Sequence, residues 1–375
     1  MNVEGSTLKI ESSLRCWVEV DLDAIRRNLR AIRSAIGGGP EILAVIKANA
    51  YGHGAPGVAR AISRDVAYFG VACIDEAARV DGLGPRVFLL SPCLPAERPR
   101  AVGSGYVVTV SSAEEARAFA AIGPVAINFK IDTGMGRVGC PADAAGGELA
   151  EVNRIRGITI HSISSHLPSS DDDPEFTARQ LARVEEIRAA LAPLAPGAKW
   201  HVLNSAGIFG FPRHAHEIVR AGLALYGSAC PPGFQHLLRP AMAWRARITL
   251  VRDMPAGATI SYGRTFRAPR PMRVACISAG YADGYPRQVS GRGAAVLCAG
   301  VRCSVLGRVT MDQLVVDISE VPSAVPGDVV TLLGRDGGEE ISASELAGLA
   351  QTISWHIFTG VSSRVRRIYN EPAEG

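Results

Sequence analysis

Between residues 42 and 221, short apolar runs recur with helical patterns between most of them, and this alternation limits the chain to a few architectures. The runs fall at 42–46, 68–73, 87–90, 106–110, 125–131, 158–164, 199–203 and 218–221. Aliphatic and β-branched residues in short runs suit parallel strands covered on both faces. Eight such strands favour a (β/α)8 barrel over an open doubly wound sheet. The clearest helical pattern, over 174–194, puts Leu181, Val184, Ile187, Leu191 and Leu194 on one stripe, as packing against a barrel requires.

The rhythm changes near residue 239. Strand-like runs at 244–251, 274–278, 294–306, 313–318 and 328–333 are separated by Pro/Gly turns rather than helices, which predicts a β-rich second domain. Ser342 or Ser344 then opens a helical tail carrying Leu346, Leu349 and Ile353. At the other end, 8–20 reads as two strand-like pieces, and Asp21 or Asp23 can cap a helix running to about Ile36. Helical spacing returns over 55–63. The expected organisation is a barrel over 14–239 and a β-rich domain over 240–375, with 1–13 a terminal strand or arm associated with the latter.

Composition narrows the function classes. A chain of 375 residues is long enough for two domains, and 47% hydrophobic with 20% charged residues describes a globular protein. A net charge of +4, with scattered arginines and no basic block beyond 364–367, argues against a nucleic-acid-binding face. No apolar run approaches the roughly eighteen residues of a membrane span, and 1–13 lacks a signal-like stretch. The eight cysteines show no paired metal spacing. Most sit in apolar strand-like runs, which predicts buried free thiols and a reducing cytoplasm.

One residue stands out chemically. Lys47 ends the first apolar run and is followed by Ala-Asn-Ala-Tyr-Gly-His-Gly through Gly54. A lysine at a strand mouth can be a surface charge or salt-bridge partner. It can also be a desolvated amine that forms a Schiff base with an aldehyde cofactor. Barrel sites lie at the C-terminal strand ends, and unusual residues gather there. Lys130 and the loop to Arg137 follow the fifth run, and His166 follows the sixth. Asn204 with Ser205 follows the seventh, and Arg220 with Gly222 the eighth. Taken singly, each could be a cap, turn or surface charge.

The stretch from Lys47 to Gly54 resembles the pyridoxal-phosphate attachment signature of bacterial alanine racemases. The resemblance covers nearly the whole chain, including 17–29 and Arg364-Val-Arg-Arg367. It implies a barrel that binds pyridoxal 5'-phosphate and a homodimer in which the β-rich domain completes the partner's site. Under it Lys47 is the Schiff-base lysine and one catalytic base. Tyr51, Ser205 and the amides of Gly222 and Leu223 cradle the phosphate, and Asn204 belongs to the same cofactor set. His166 packs on the ring and Arg220 faces the pyridine nitrogen. A guanidinium stays protonated and cannot hand over a full proton, which makes the ring a weaker electron sink and favours simple reprotonation.

The second base is implied to be Tyr262, since racemisation moves protons on opposite faces of one carbon. A strand tyrosine is by itself more often a packing residue than a base. Met311 and Asp312 resemble the segment reaching toward the substrate carboxylate, which Arg137 helps place. Lys130 matches a lysine often carbamylated in the family. Tyr281 and Arg287 resemble entrance residues. Trp355 departs from the pattern, standing where these racemases commonly carry a tyrosine that contacts the phosphate and lines the pocket. The implied activity is interconversion of L- and D-alanine, supplying peptidoglycan. A serine or broad-specificity racemase is the nearest alternative. A barrel-fold decarboxylase of basic amino acids and a non-catalytic cofactor carrier come from other classes. The implied partner is a small amino acid, with neither nucleic acid nor membrane.

Overall fold

The computed structural model describes residues 11–228 and 232–370, so Cys230 and most of the expected arm 1–13 lie outside the described residues. The chain forms two compact units. One comprises Ile25–Ala50 and Ala55–Arg239; the other takes the chain through Ala24, Tyr51–Gly54, and everything from Pro240 onward.

The first unit holds all eight expected strands: β1 (Glu41–Val45), β2 (Tyr68–Val71), β3 (Arg86–Leu89), β4 (Val107–Val110), β5 (Val125–Asp132), β6 (Ile158–Ser164), β7 (Lys199–His201) and β8 (Ile218–Ala221). They form a parallel sheet ordered β8-β1-β2-β3-β4-β5-β6-β7. The Arg220 amide donates to the Leu203 carbonyl at 3.0 Å, which brings the two ends of the sheet together into a nearly closed barrel. Fully buried Leu43, Phe69, Phe88, Val108, Ile127 and Phe129 show why these runs carry so little polar alternation. The helix Pro174–Leu191 is capped by Asp173, whose carboxylate accepts from the Phe176 amide at 2.9 Å, and it buries Leu181, Val184, Ile187 and Leu191. It stops before Leu194 because Pro193 has no amide hydrogen to continue the ladder, although Ala192 before it still has helical backbone.

In the second unit nine strands are ordered Glu339–Ile341, Val329–Asp336, Ala295–Cys298, Val301–Leu306, Leu314–Asp317, Met272–Ile277, Met242–Met254, Cys16–Asp21 and Arg366–Asn370. Val329–Asp336 also pairs with Met242–Met254, so six of these strands close on themselves. The expected single run at 294–306 is a hairpin: Ala299 (φ 50°) and Gly300 (φ 77°) form its two-residue turn. Cys16–Asp21 lies in this sheet rather than at the start of the barrel. It is antiparallel to Met242–Met254 and parallel to Arg366–Asn370, and it buries Trp17, Val18 and Val20 completely. The expected helical tail is two helices, Ala343–Ala350 and Ser354–Gly360, broken where Gln351 turns left-handed (φ 55°). That break leaves Ile353 exposed.

The seven described cysteines are all free, but only Cys140, Cys298 and Cys303 are buried. The expectation that most would be buried is corrected, because an apolar run spills past the strand it feeds: Cys73 lies just beyond β2 and is exposed. No described helix is long and apolar enough to cross a membrane.

Candidate active site

The ends of the barrel strands assemble a cluster of cations. Lys47 follows β1 and is half-buried; burial lowers its pKa, Arg137 and Arg220 lower it further, and Glu76 opposes them. Lys130, on β5, is lowered well below the ordinary range by burial, then by Arg220 and Arg137, with Asp132 opposing. Its ammonium donates to the Ser165 carbonyl at 3.3 Å. Burial raises the Asp132 carboxyl, but the amides of Gly134, Gly136, Met135 and Arg137 more than offset this, so its pKa lies below the ordinary value. That carboxylate shapes the turn which carries exposed Arg137.

Arg220, on β8, is buried and heavily committed. Its Nη1 donates to His201 Nδ1 at 2.7 Å and to the His201 carbonyl at 2.9 Å; its Nη2 reaches the Ser165 and Val202 carbonyls and His166 Nδ1, the last at 3.1 Å. Its Nε–H makes none of these bonds. Burial, and then Arg137, bring its pKa to about 10. Burial and the surrounding cations, Arg220 first, push His166 down to about 2. His201 lies well below its ordinary value for the same reasons.

Behind His201 runs a polar chain that the sequence reading missed. His201 Nε2 faces Asn128 Oδ1 at 3.2 Å, Ser162 Oγ donates to the same oxygen, Asn128 Nδ2 donates to Thr109 Oγ1, and Thr109 donates to the Leu89 carbonyl. Each of these residues alone looks like an ordinary polar break in a strand. The available signal was register: Thr109 pairs with Asn128, and Asn128 with Ser162, across three neighbouring strands.

The seventh and eighth strand ends meet at Ser205. Its Oγ accepts the amides of Gly222 and Ala224 at 3.0 and 3.1 Å, which fills both lone pairs and leaves its O–H to donate. Leu223, expected alongside Gly222, contributes no amide to this pair. Asn204 caps the helix Ser205–Gly210 through the Gly207 amide, while Ser170 donates to the same Asn204 oxygen.

The remaining sequence-predicted residues lie in the β-rich unit. Tyr51 ends the left-handed turn after Lys47 (φ 52°) and is buried, which pushes its phenol up to about 12. Tyr262, read from the sequence as a strand tyrosine, lies instead in a short 3-10 turn between Ser261 (φ 66°) and Gly263 (φ 71°), and it is 69% exposed. Two close approaches bring this turn against the loop carrying Met311 and Asp312: Ser261 Oγ donates to the Arg308 carbonyl at 2.6 Å, and a Cβ on Gly307 would stand 2.8 Å from the Ile260 oxygen. Met311 and Tyr281 are exposed. Arg287 opens a 3-10 turn, and Trp355 is half-buried in the helix Ser354–Gly360.

A lysine at the first strand end of a (β/α)8 barrel, with arginines and histidines at later ends, defines a barrel enzyme class. The family model for the N-terminal domain of alanine racemase matches residues 20–230, and that for its C-terminal domain matches 241–369. The alanine racemase of Methylacidiphilum infernorum is 39% identical over 95% of this chain and 92% of its own length; that of Symbiobacterium thermophilum is 40% identical over 94% and 96%. Among solved structures, the alanine racemase of Streptomyces lavendulae superposes with a TM-score of 0.89 at 34% identity, covering 97% of this chain and 99% of that one. The Bacillus anthracis alanine racemase with bound L-Ala-P gives 0.86 at 30% identity, over 95% of each chain. The chain belongs to the alanine racemase family and is an isomerase acting on amino acids.

Proposed function

We propose that the chain is a pyridoxal-phosphate-dependent racemase that interconverts L- and D-alanine, with Lys47 and Tyr262 as its two bases. The observation that carries this reading is the half-buried Lys47 amine at the end of β1, its pKa lowered by burial and two arginines. The surrounding residues fit the cofactor. Phosphate and substrate carboxylate are anions, and the cations Lys47, Lys130, Arg137 and Arg220 outnumber the acids Glu76 and Asp132 that act on them. The Ser205 O–H is a donor suited to a phosphate oxygen. The Leu223 amide is proposed to add another, and Gly222, whose amide is committed to Ser205, to support the cradle. The Arg220 Nε–H suits a ring nitrogen that accepts without taking a full proton.

Bound there, pyridoxal phosphate would supply the electron sink that lets an amino acid's α-proton leave. Lys47 would hold it through its amine. Because its pKa is lowered, that amine has a larger neutral fraction at a given pH than a free lysine, and the neutral form is the one that attacks or accepts a proton. Lys47 Nζ would take the proton on one face while Tyr262 Oη delivers one on the other, and the reverse reaction exchanges the roles. Neutral His166 would pack on the ring, Tyr51 would bind phosphate, and Asn204 would hold Ser205 in place by capping its helix. Arg137, Met311 and Asp312 would orient the carboxylate, and Tyr281 and Arg287 would line the entrance. The Lys130 ammonium, once it has lost a proton, can add carbon dioxide and release a second proton, giving the carbamate and so turning a repelling cation into an anion beside Arg137. The working form would be a cytoplasmic homodimer with shared sites, making D-alanine for peptidoglycan.

A chiral product assay over alanine, serine, lysine and ornithine tests this reading. D-alanine should form from L-alanine, and borohydride should fix the cofactor on Lys47. Carbon dioxide release from lysine or ornithine, or labelling of another lysine, would overturn it. In the same assay Trp355→Tyr should shift the alanine-to-serine ratio of kcat/KM by about tenfold, the worth of one small group at a pocket wall. A shift under about threefold removes Trp355 as a determinant of specificity.

A further inference from the structure

The basic segment Arg364-Val-Arg-Arg367 has no part in that chemistry, yet both outer arginines bond to loops of the β-rich unit that carry proposed site residues. Arg364 grips the carboxylate of buried Asp283 with a two-pronged contact, Nε to Oδ1 at 2.7 Å and Nη2 to Oδ2 at 2.9 Å, and the same Nη2 reaches Asp312 Oδ1 at 2.9 Å. Asp283 in turn accepts the Gly280 amide at 2.8 Å. The amides of Tyr281 and Ala282 donate to the carbonyls of Thr310 and Met311, both at 3.0 Å. The two backbones lie so close that a Cβ on Gly280 would stand 2.3 Å from the Met311 oxygen. Arg364 therefore closes a side-chain tie across a seam of two loops, at the residue next to Met311.

Arg367 does the same work on a different loop. Its Nε donates to the Gly52 carbonyl at 2.9 Å, Nη1 to the carbonyls of Ser362 and Val365, each at 2.6 Å, and Nη2 to that of Val361 at 2.8 Å. Alternation along the strand Arg366–Asn370 puts Tyr369 on the same side as Arg367, and its hydroxyl reaches the Gly54 carbonyl at 3.4 Å. The fit is tight here too, since a Cβ on Gly52 (φ +80°) would stand 2.1 Å from the Phe358 oxygen. The held loop is Tyr51–Gly54, which continues directly from the turn after Lys47.

We propose that Arg364 and Arg367 are positioning residues that clamp separate loops of the site, Arg364 the substrate-side loop at Met311–Asp312 and Arg367 the cofactor-side loop at Tyr51–Gly54. The roles given to those loops rest on the proposed function; the clamps themselves rest on the contacts. A guanidinium makes these planar, multiply directed bonds, and an ammonium on a flexible stem reproduces only part of them.

The test compares Arg364→Lys and Arg367→Lys with the wild type as full-length, cofactor-loaded enzymes. Arg364→Lys should raise KM for L-alanine at least fivefold while pyridoxal-phosphate affinity, read by absorbance titration, stays within twofold. Arg367→Lys should weaken cofactor affinity at least fivefold while KM at saturating cofactor stays within twofold. Hydrogen exchange reads the clamps without reference to activity. Amides of 280–285 and 310–312 should exchange faster only in Arg364→Lys, and those of 52–54 only in Arg367→Lys. Both variants changing the same parameters, or neither changing them while melting falls, would overturn the proposal. So would a failure of both lysine variants, and of Arg364→Gln and Arg367→Gln, to fold, since that would make the arginines general supports of the fold. A wild type that neither binds the cofactor nor racemises alanine would instead remove the proposed function, leaving the exchange pattern to judge the clamps.

Discussion

One arginine fixes the protonation of two histidines. Arg220 donates to Nδ1 of both His166 and His201, so each ring carries its proton on Nε2 and stays neutral. Burial first, and Arg220 next, hold His166 down at about 2 and His201 well below its ordinary value. In the unfolded chain both take up a proton near pH 6.5, so below that pH the unfolded state binds more protons. The stability they contribute is complete above about pH 6.5 and is lost as pH falls from there toward the folded values. Going from pH 7.5 to 5.5 should cost on the order of 1 kcal/mol per histidine. Urea unfolding at the two pH values checks this: His161 and His216, also held below the ordinary value by burial, add to the loss, and His201→Gln, which removes one titrating group, should reduce it by on the order of 1 kcal/mol. An equal loss in variant and wild type would contradict the assignment. Lys47 and Arg220 were legible in the sequence because each is an isolated charge at the end of an apolar run. His201 and Asn128 were not, because their meaning depends on strands that only the folded register brings together.

At the scale of elements, the turn after Lys47 carries local strain. Ala48, Asn49, Ala50 and Tyr51 all have φ between 50° and 55°, a left-handed run without a glycine. Each such residue costs roughly 1–2 kcal/mol, so neighbouring contacts must hold the turn. The Ala48 amide donates to Glu76 Oε1 at 2.7 Å, Glu76 Oε2 takes the Ala72 amide, Asn49 Oδ1 takes the Ala55 amide, and the Ala50 amide reaches the Ile46 carbonyl. The glycines of this stretch lie just beyond, at Gly52 and Gly54, and the left-handed run was illegible because alanine has no preference for it. Ala48 is exposed, so Ala48→Gly loses little packing. It should stabilise the protein by about 0.5–1 kcal/mol, the relieved strain less the added freedom of the unfolded chain. Gly52→Ala should do the opposite, by about 2 kcal/mol or more, because its Cβ meets the Phe358 carbonyl. Chemical denaturation of the two variants decides this; a destabilised Ala48→Gly would mean the turn is not strained. The barrel strands were read correctly for the opposite reason. Buried parallel strands need little beyond a short apolar run, whereas the strand Arg366–Asn370 escaped notice because it is charged and lies at a sheet edge.

For the whole molecule, the proposed function shares each site between two chains, a division that the alanine racemase resemblance implies. Lys47 belongs to the barrel unit and Tyr262 to the β-rich unit. On the β-rich unit of a single chain, Tyr262, Met311 and Tyr281 are 69%, 53% and 41% exposed. Two of these loops are tied together, Tyr281 to Thr310 by a backbone bond, and the Tyr262 turn packs against Arg308 of the same segment. A second copy of the chain covering them would remove that surface from water and supply Tyr262 to a barrel other than its own. Separate Lys47→Ala and Tyr262→Ala proteins should each be inactive, since each lacks one base at every site. When they are mixed under conditions that exchange subunits, random pairing makes about half the dimers hybrid. Each hybrid has one site with both bases intact and one with neither, so recovered activity should approach about a quarter of the wild-type value. A site built within one chain would give no recovery at any mixing ratio, and that result, with hybrids demonstrated by differential tagging, would rule out sharing.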